Sequence, residues 1–171
     1  MTEMRVFLTG FMGSGKSTLG FPLARRLGLR FVDLDRHIEQ SEGQTIPDIF
    51  AAEGEQSFRE MENRHLREYI EANDDFVMST GGGTPCFNDN IDLMNSTGRT
   101  VYLKLEPEML AARLKNSKTV RPLVAGKTSE ELLEYIKTTL ADREKYYDRA
   151  SVVIADPTRD VSRLAAILEY R

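Results

Sequence analysis

Five short apolar runs punctuate the chain, at about Arg5–Thr9, Phe31–Asp33, Phe76–Ser79, Thr100–Leu105 and Val152–Ala155, and each has the length of a buried strand rather than a helix. Between them the apolar residues recur every three or four positions. That period predicts helices, notably over Lys16–Leu27, Ile46–Ala52, Glu55–Glu71, Pro107–Lys115, Ser129–Ala150 and Val161–Glu169. In the first of these, Leu19, Leu23, Ala24 and Leu27 share one side. Short apolar strands alternating with helices predict an α/β fold, a parallel sheet with helices on both faces. Ligands of such folds bind beyond the carboxyl ends of the strands, so chemistry is expected directly after each apolar run.

After the first run comes TGFMGSGKST, in which Gly10 to Ser17 have the spacing G-x-x-x-x-G-K-S of a Walker A loop. A polyphosphate needs many short N–H contacts at once, and glycines let the backbone approach closely and take positive φ angles. The helix that opens near Gly15 adds free amides and the positive end of its dipole. Gly13, Ser14, Gly15, Lys16, Ser17 and Thr18 are therefore the candidate nucleotide-binding residues. Lys16 is suited to meet the β- and γ-phosphates as a point charge, and the Ser17 hydroxyl to ligate Mg2+. An ordinary Gly-rich turn would not call for a strand before and an amphipathic helix after.

The second run ends in Asp33-Leu34-Asp35, two carboxylates that face the same side of an extended segment. One is suited to hold a metal's water shell and the other to accept a proton or hydrogen bond from a hydroxyl. The alternative is a helix N-cap followed by a solvated charge, because Arg36-His37 leads into a short helix. The third run ends in Met78-Ser79-Thr80 and then Gly81-Gly82-Gly83. No acid stands where a Walker B strand carries its magnesium ligand, which moves the metal role toward Asp33. The three glycines expose backbone amides and leave room for a ligand, or form a plain flexible loop.

Two arginines project from apolar helix faces. On Glu55–Glu71 that face is marked by Phe58, Leu66, Tyr69 and Ile70, with Arg59 between Leu66 and Ile70 and Glu62 in the same arc. On the helix after Ser129 it is marked by Leu132, Ile136, Leu140 and Tyr147, and Arg143 lies nearly in line with Leu132. An inward arginine is costly to desolvate unless paired. Glu62 can orient Arg59 from one turn away, whereas Asp142 and Glu144 point away from the face of Arg143. Either both arginines pair with acids of other helices, or they converge on a bound carboxylate, for which planar bidentate donors are suited. The polar stretch from Asn116 to Lys127, with Arg121 before Pro122, predicts a lid over phosphates or else a solvated connector. His37 and His65 have no partner at metal-ligand spacing and take no role.

Composition narrows the partners. The 171 residues have the size of one domain, without internal repeat or linker. The one cysteine, Cys86, suits a reducing cytosol. With neither a basic leader nor an apolar run of membrane-spanning length, the chain is expected to be a soluble cytoplasmic protein that contacts no membrane, and Asn95-Ser96-Thr97 a turn. A net charge of −4 argues against nucleic acid as the main partner, so any anionic ligand must be held by a few local arginines.

Together these residues resemble the shikimate kinases, in the nucleoside monophosphate kinase group of P-loop proteins. The matching pieces are GFMGSGKST, the pair Asp33 and Asp35, IPDIF up to Phe50, GEQSFREME around Arg59 and Glu62, Gly81 to Gly83, TVRPLVAG around Arg121, and Arg143 before Tyr147, in family order from Arg5 to Asp160. The resemblance implies a three-layer α/β/α domain over residues 1–171 with a five-stranded parallel sheet in the order 2-3-1-4-5. It implies a substrate-binding region at about 34–62, a lid at about 116–127, and transfer of the ATP γ-phosphate to the 3-hydroxyl of shikimate. By resemblance Asp35 contacts the accepting hydroxyl, Arg59 and Arg143 hold the substrate carboxylate, Gly82 contacts the ring, and Phe50 and Phe58 wall it. Glu62 then orients Arg59, Asp33 is the outer-shell acid for Mg2+, and Lys16 and Arg121 act on the transferred phosphate. Arg113 matches the arginine that stacks on adenine, with Asp156-Pro157-Thr158 on the opposite side of the base. Thr84-Pro85-Cys86 departs from the small apolar residues that the resemblance leads one to expect after the glycines. Family members mostly act as monomers.

Gluconate kinase shares the size, fold and Walker A loop, and gluconate also carries a carboxylate and hydroxyls. The combined FRxxE, GGG and RPL at Phe58, Gly81 and Arg121 favours shikimate. A GTP-binding switch would need a D-x-x-G segment and an [NT]-K-x-D guanine reader, and the chain has neither. A non-catalytic nucleotide-binding relative has no need of residues that this chain keeps.

Overall fold

The computed structural model of the chain describes residues 3–119, 121–155 and 160–170. The apolar runs form strands β1 (Met4–Thr9), β2 (Arg30–Asp33), β3 (Asp75–Ser79), β4 (Arg99–Leu103) and β5 (Val152–Ile154), each within two residues of its expected place. They pair in parallel, in the order β2-β3-β1-β4-β5 that the resemblance implied. The helices of the described residues are α1 (Lys16–Leu27), α2 (Leu34–Glu42), α3 (Ile46–Ala72), α4 (Asn90–Thr97), α5 (Pro107–Lys115), α6 (Ser129–Tyr147) and α7 (Val161–Glu169).

Strand alternation sorts the core into two faces. Val6 and Leu8 of β1 turn to Leu19 and Leu23 of α1 and to Leu164 and Leu168 of α7. Phe7 between them turns the other way, to Leu34 and Ile38 of α2, Leu66 of α3 and Ile91 of α4. Tyr102 of β4 continues that second face beneath α5 and α6, with Leu110, Leu132, Ile136 and Tyr147. Both faces are covered, giving three layers, and no helix of the described residues is long and apolar enough to cross a membrane.

Three elements differ from the expectation for local reasons. The two helices expected around Ile46–Ala52 and Glu55–Glu71 are one run broken at Gly54, whose φ of 82° and ψ of 174° are not helical. The helix expected to reach Ala150 stops at Tyr147, where Arg149 and Ala150 donate to carbonyls three residues back and tighten the last turn. Helix α4 escaped the periodicity because it is short and buries only Asn90, Ile91 and Met94. Between β3 and α4 lies a single 3-10 turn, Thr84–Cys86.

Leu66 tests the face assignment of α3, because it is fully buried while Glu71 on the same helix is exposed. Leu66→Ala should lower the unfolding free energy by about 2–5 kcal/mol in urea titrations, and Glu71→Ala by no more than ~0.5 kcal/mol.

Candidate functional site

The loop between β1 and α1 takes its shape from Gly13 and Gly15, at φ values of 79° and 87°. Its lysine is turned inward: Lys16 is 9% exposed, and its Nζ donates to the carbonyls of Gly10 at 2.7 Å and Phe11 at 3.1 Å. Burial lowers the Lys16 pKa to about 8, with Asp35 pulling it back up and Arg121 pushing it further down. Ser14 is fully buried in the loop, and Arg113 of α5 donates to the Ser14 carbonyl at 3.5 Å.

Asp33 at the end of β2 does two things, one with each oxygen. Its Oδ1 accepts from the backbone N–H of Arg36 and caps α2, while its Oδ2 accepts from the Ser17 hydroxyl at 2.9 Å. The capping and ligand-side expectations for this residue are therefore compatible. Ser17 also bonds Ser79 Oγ at 3.1 Å, and Ser79 stands in register with Asp33 on one side and Leu8 on the other. β3 thus separates β2 from β1, and Ser79 occupies the strand end where an acid is usual in P-loop enzymes. No group of three or more His, Cys, Asp or Glu side chains able to hold a metal ion occurs among the described residues.

The triglycine after β3 makes room for the protein's own charged groups. A Cβ built on Gly81 would lie 3.1 Å from Asp35 Oδ1 and 3.3 Å from Glu62 Oε2. One built on Gly82 would lie 3.2 Å from Arg143 Nη1, and one on Gly83 only 2.5 Å from Arg59 Nη2. The sequence-predicted acid, orienting glutamate and two arginines are thus brought together along three consecutive residues. Asp35 has its pKa raised to about 6, first by burial and then by the like charges of Glu62 and Asp33. Arg59 donates to Glu62 at 3.0 Å and Glu55 at 3.3 Å, with its guanidinium 5.2 Å from the Phe58 ring centroid and 4.2 Å from that of Phe87. Arg143 has no ion pair among the described residues, while Glu144 turns to Lys104 at 2.8 Å and Asp142 is exposed. The Tyr147 hydroxyl donates to the carbonyl of Gly82, and the Tyr147 ring packs on Tyr102.

A cavity of about 430 Å³ opens above these strand ends. Gly13, Gly15, Lys16, Ser17, Thr18, Asp33, Asp35, Gly82, Arg113 and Arg121 all line it. Phe50, Phe58, Arg59, Glu62 and Arg143 are not among its walls; the arginines lie against the triglycine, and Phe50 packs on Phe58 at 4.7 Å between ring centroids. Pro157, expected beside adenine, lies outside the described residues. His37 and His65 fall elsewhere: their rings meet edge to face, and His65 pairs with Glu42 at 2.6 Å, tying α2 to α3.

Sequence reasoning missed Ser79, Thr84 and Phe87. Ser79 had a signal in the missing Walker B acid. Thr84 had one only in its departure from the small apolar residues expected after the glycines, and Phe87 had none; their partners are 22 and 28 residues away in the chain.

A Walker A loop at the carboxyl edge of a 2-3-1-4-5 parallel sheet, faced by half-buried acids and by arginines, defines a P-loop phosphotransferase. The family model for shikimate kinase matches residues 12–169. A shikimate kinase of Azobacteroides pseudotrichonymphae is 48% identical over 87% of this chain and 88% of its own. The crystal structure of shikimate kinase from Bacteroides thetaiotaomicron superimposes with a TM-score of 0.92 at 41% identity, over 98% of this chain and 99% of its own. That of the Acinetobacter baumannii shikimate kinase in complex with shikimate gives a TM-score of 0.82 at 34% identity, over 98% and 91%. The chain belongs to the shikimate kinase family, whose members are kinases with ATP as co-substrate.

The raised pKa of Asp35 has a stability consequence of definite sign. Between the ordinary value of 3.8 and about 6 the folded chain holds this proton more tightly than the unfolded chain, so folding stability falls as pH rises through that window. Asp35→Asn should therefore raise the melting temperature at pH 7–8, and the gain should vanish as pH falls toward 4 in a thermal-unfolding series.

Proposed function

We propose that this chain phosphorylates the 3-hydroxyl of shikimate with ATP, giving shikimate 3-phosphate and ADP on the route to chorismate and the aromatic amino acids. The observation that carries the reading is the triglycine strand end, at which Asp35, its neighbour Glu62 and two arginines meet beside a phosphate loop. One carboxylate and one reacting hydroxyl on the same small molecule match that set.

In this reading residues 1–171 act as one domain, with the acceptor region at about 34–62 and the lid at about 116–127. Gly13 to Thr18 cradle the phosphates with backbone N–H groups at the start of α1. Lys16 and Arg121, both at the cavity wall, neutralise charge on the transferred phosphoryl group, and Arg113 lies along the adenosine side. Asp35 accepts the hydrogen bond of the 3-hydroxyl and aligns it with the phosphorus. Its raised pKa makes it a stronger proton acceptor than an exposed carboxylate. Arg59 and Arg143 hold the shikimate carboxylate, Glu62 fixes Arg59, the Gly82 backbone meets the ring, and Phe50 and Phe58 wall it.

The hydroxyl of Ser17 and carboxylate of Asp33 form an all-oxygen pair at the phosphate loop, a donor set that fits Mg2+ held otherwise by phosphates and water. Bound there, Mg2+ would supply positive charge to offset that of the phosphates. A cytoplasmic monomer belongs to the same reading, with Cys86 a free thiol that suits a reducing compartment.

The direct test is ADP release from Mg·ATP with shikimate, with gluconate and with no acceptor. Shikimate alone should stimulate turnover; stimulation by gluconate alone would overturn the acceptor assignment.

Asp35→Asn should lower kcat about 10²–10⁴-fold while ATP still binds, and near-normal turnover would exclude the role. In the unmodified enzyme kcat/KM for shikimate should fall as pH drops through about 6, where Asp35 gains its proton. Arg143→Ala should raise the shikimate KM about 10- to 100-fold with the ATP KM little changed, as read from paired saturation curves.

A further inference from the structure

Glu62 is fully buried, and only one of its oxygens is occupied by Arg59. The other, Oε2, accepts from the Thr84 hydroxyl at 2.8 Å. Thr84 is itself fully buried, in the 3-10 turn directly after the triglycine. Its backbone is fixed from both sides: its N–H donates to the Gly81 carbonyl at 3.1 Å, and its carbonyl accepts from Asn90 Nδ2 at 2.9 Å. Asn90 is fully buried at the start of α4, and its Oδ1 accepts from Asn63 Nδ2 of α3 at 2.6 Å. The hydroxyl is therefore held in place by backbone and side-chain bonds that do not involve Glu62.

A buried carboxylate needs donors on both oxygens, or it bears the desolvation cost of the one left bare. Glu62 meets that requirement with one charged donor and one neutral donor. The neutral donor decides which way the carboxylate plane turns, because Arg59 alone leaves it free to rotate about its bond to the helix side. Thr84, Glu62 and Asp35 also meet at one point: a Cβ built on Gly81 would lie 3.0 Å from Thr84 Oγ1, 3.1 Å from Asp35 Oδ1 and 3.3 Å from Glu62 Oε2. Three oxygens from three elements crowd around one glycine.

We propose that Thr84 is a positioning residue for the acceptor site: its hydroxyl locks the Glu62 carboxylate and, through it, aims Arg59 at the carboxylate of the acceptor. The inference rests on the reading of Arg59 given above. Thr84 is not among the residues lining the phosphate-loop cavity, so its effect falls on acceptor binding and leaves phosphoryl transfer largely intact.

The test is steady-state kinetics with shikimate and ATP varied separately. Thr84→Val keeps the shape and removes the donor; it should raise the shikimate KM about tenfold, leave the ATP KM unchanged and lower kcat by less than about threefold. Thr84→Ser retains the hydroxyl and should stay within about twofold of the parent in shikimate KM. Combined with Glu62→Gln, Thr84→Val should add little beyond the single Glu62 change, because the two act through one bond. If the valine variant does not fold, Thr84→Ala carries the same expectation without added bulk. A shikimate KM unmoved by loss of the hydroxyl, or fully additive with Glu62→Gln, overturns the proposal. Arg59→Lys run in parallel separates the two ideas: a raised shikimate KM there with no effect at Thr84 sinks only the positioning role, while no effect at Arg59 sinks the carboxylate reading itself.

Discussion

The site depends on how closely charged side chains can approach one stretch of backbone. At the end of β3 three successive residues have no side chain, and against them lie Asp35 with Glu62, then Arg143, then Arg59. A methyl group on Gly83 would collide with the Arg59 guanidinium, and one on Gly81 would press on two carboxylates. The glycines do not simply loosen a loop. They leave room for an acid pair and two cations to lie against one stretch of backbone. α3 carries Arg59 and Glu62, α6 carries Arg143, and the hydroxyl of Tyr147, one turn beyond Arg143, holds the Gly82 carbonyl in place.

Desolvation then does the chemical tuning. Asp35 and Lys16 are shifted in opposite senses by the same principal cause, burial, one up to about 6 and the other down to about 8. Their mutual attraction opposes both shifts, and the like charges around each, Glu62 and Asp33 for the acid and Arg121 for the lysine, reinforce them. An acid that is a good proton acceptor thus sits across one cavity from a cation that remains mostly charged near neutrality.

Alternatives that looked exclusive along the chain turn out to coexist in space. Asp33 caps α2 with one oxygen and bonds Ser17 with the other, so helix capping and the phosphate-side role do not compete. Neither inward arginine pairs with an acid of another helix among the described residues: Arg59 is paired with Glu62 and Glu55 of its own helix, whereas Arg143 packs beside Phe11 and Tyr147 without an ion pair. The family match and the combined signature at Phe58, Gly81 and Arg121 favour shikimate over gluconate, and a guanine-nucleotide switch has no support in either.

Much of this molecule was legible from local order. The strands, α1 and the phosphate loop follow from short-range patterns, because strand burial, helix period and the positive φ of a turn are decided by neighbours within a few residues. The inward direction of Arg59 and Arg143 was legible for the same reason, as a helix fixes side-chain direction by counting. The break at Gly54 and the brief α4 lay at the edge of that reach, with one glycine and three buried residues to mark them. The roles of Thr84, Ser79 and Phe87 could come only from the tertiary structure. Each depends on a hydrogen bond or ring contact between residues 22, 62 and 28 positions apart, and no periodicity carries information over that span. The sequence by itself determined which groups could do the chemistry; packing of β3 between β1 and β2 decided which of them meet, because a buried carboxylate such as Glu62 needs donors on both oxygens and one of them, Thr84, comes from across the fold.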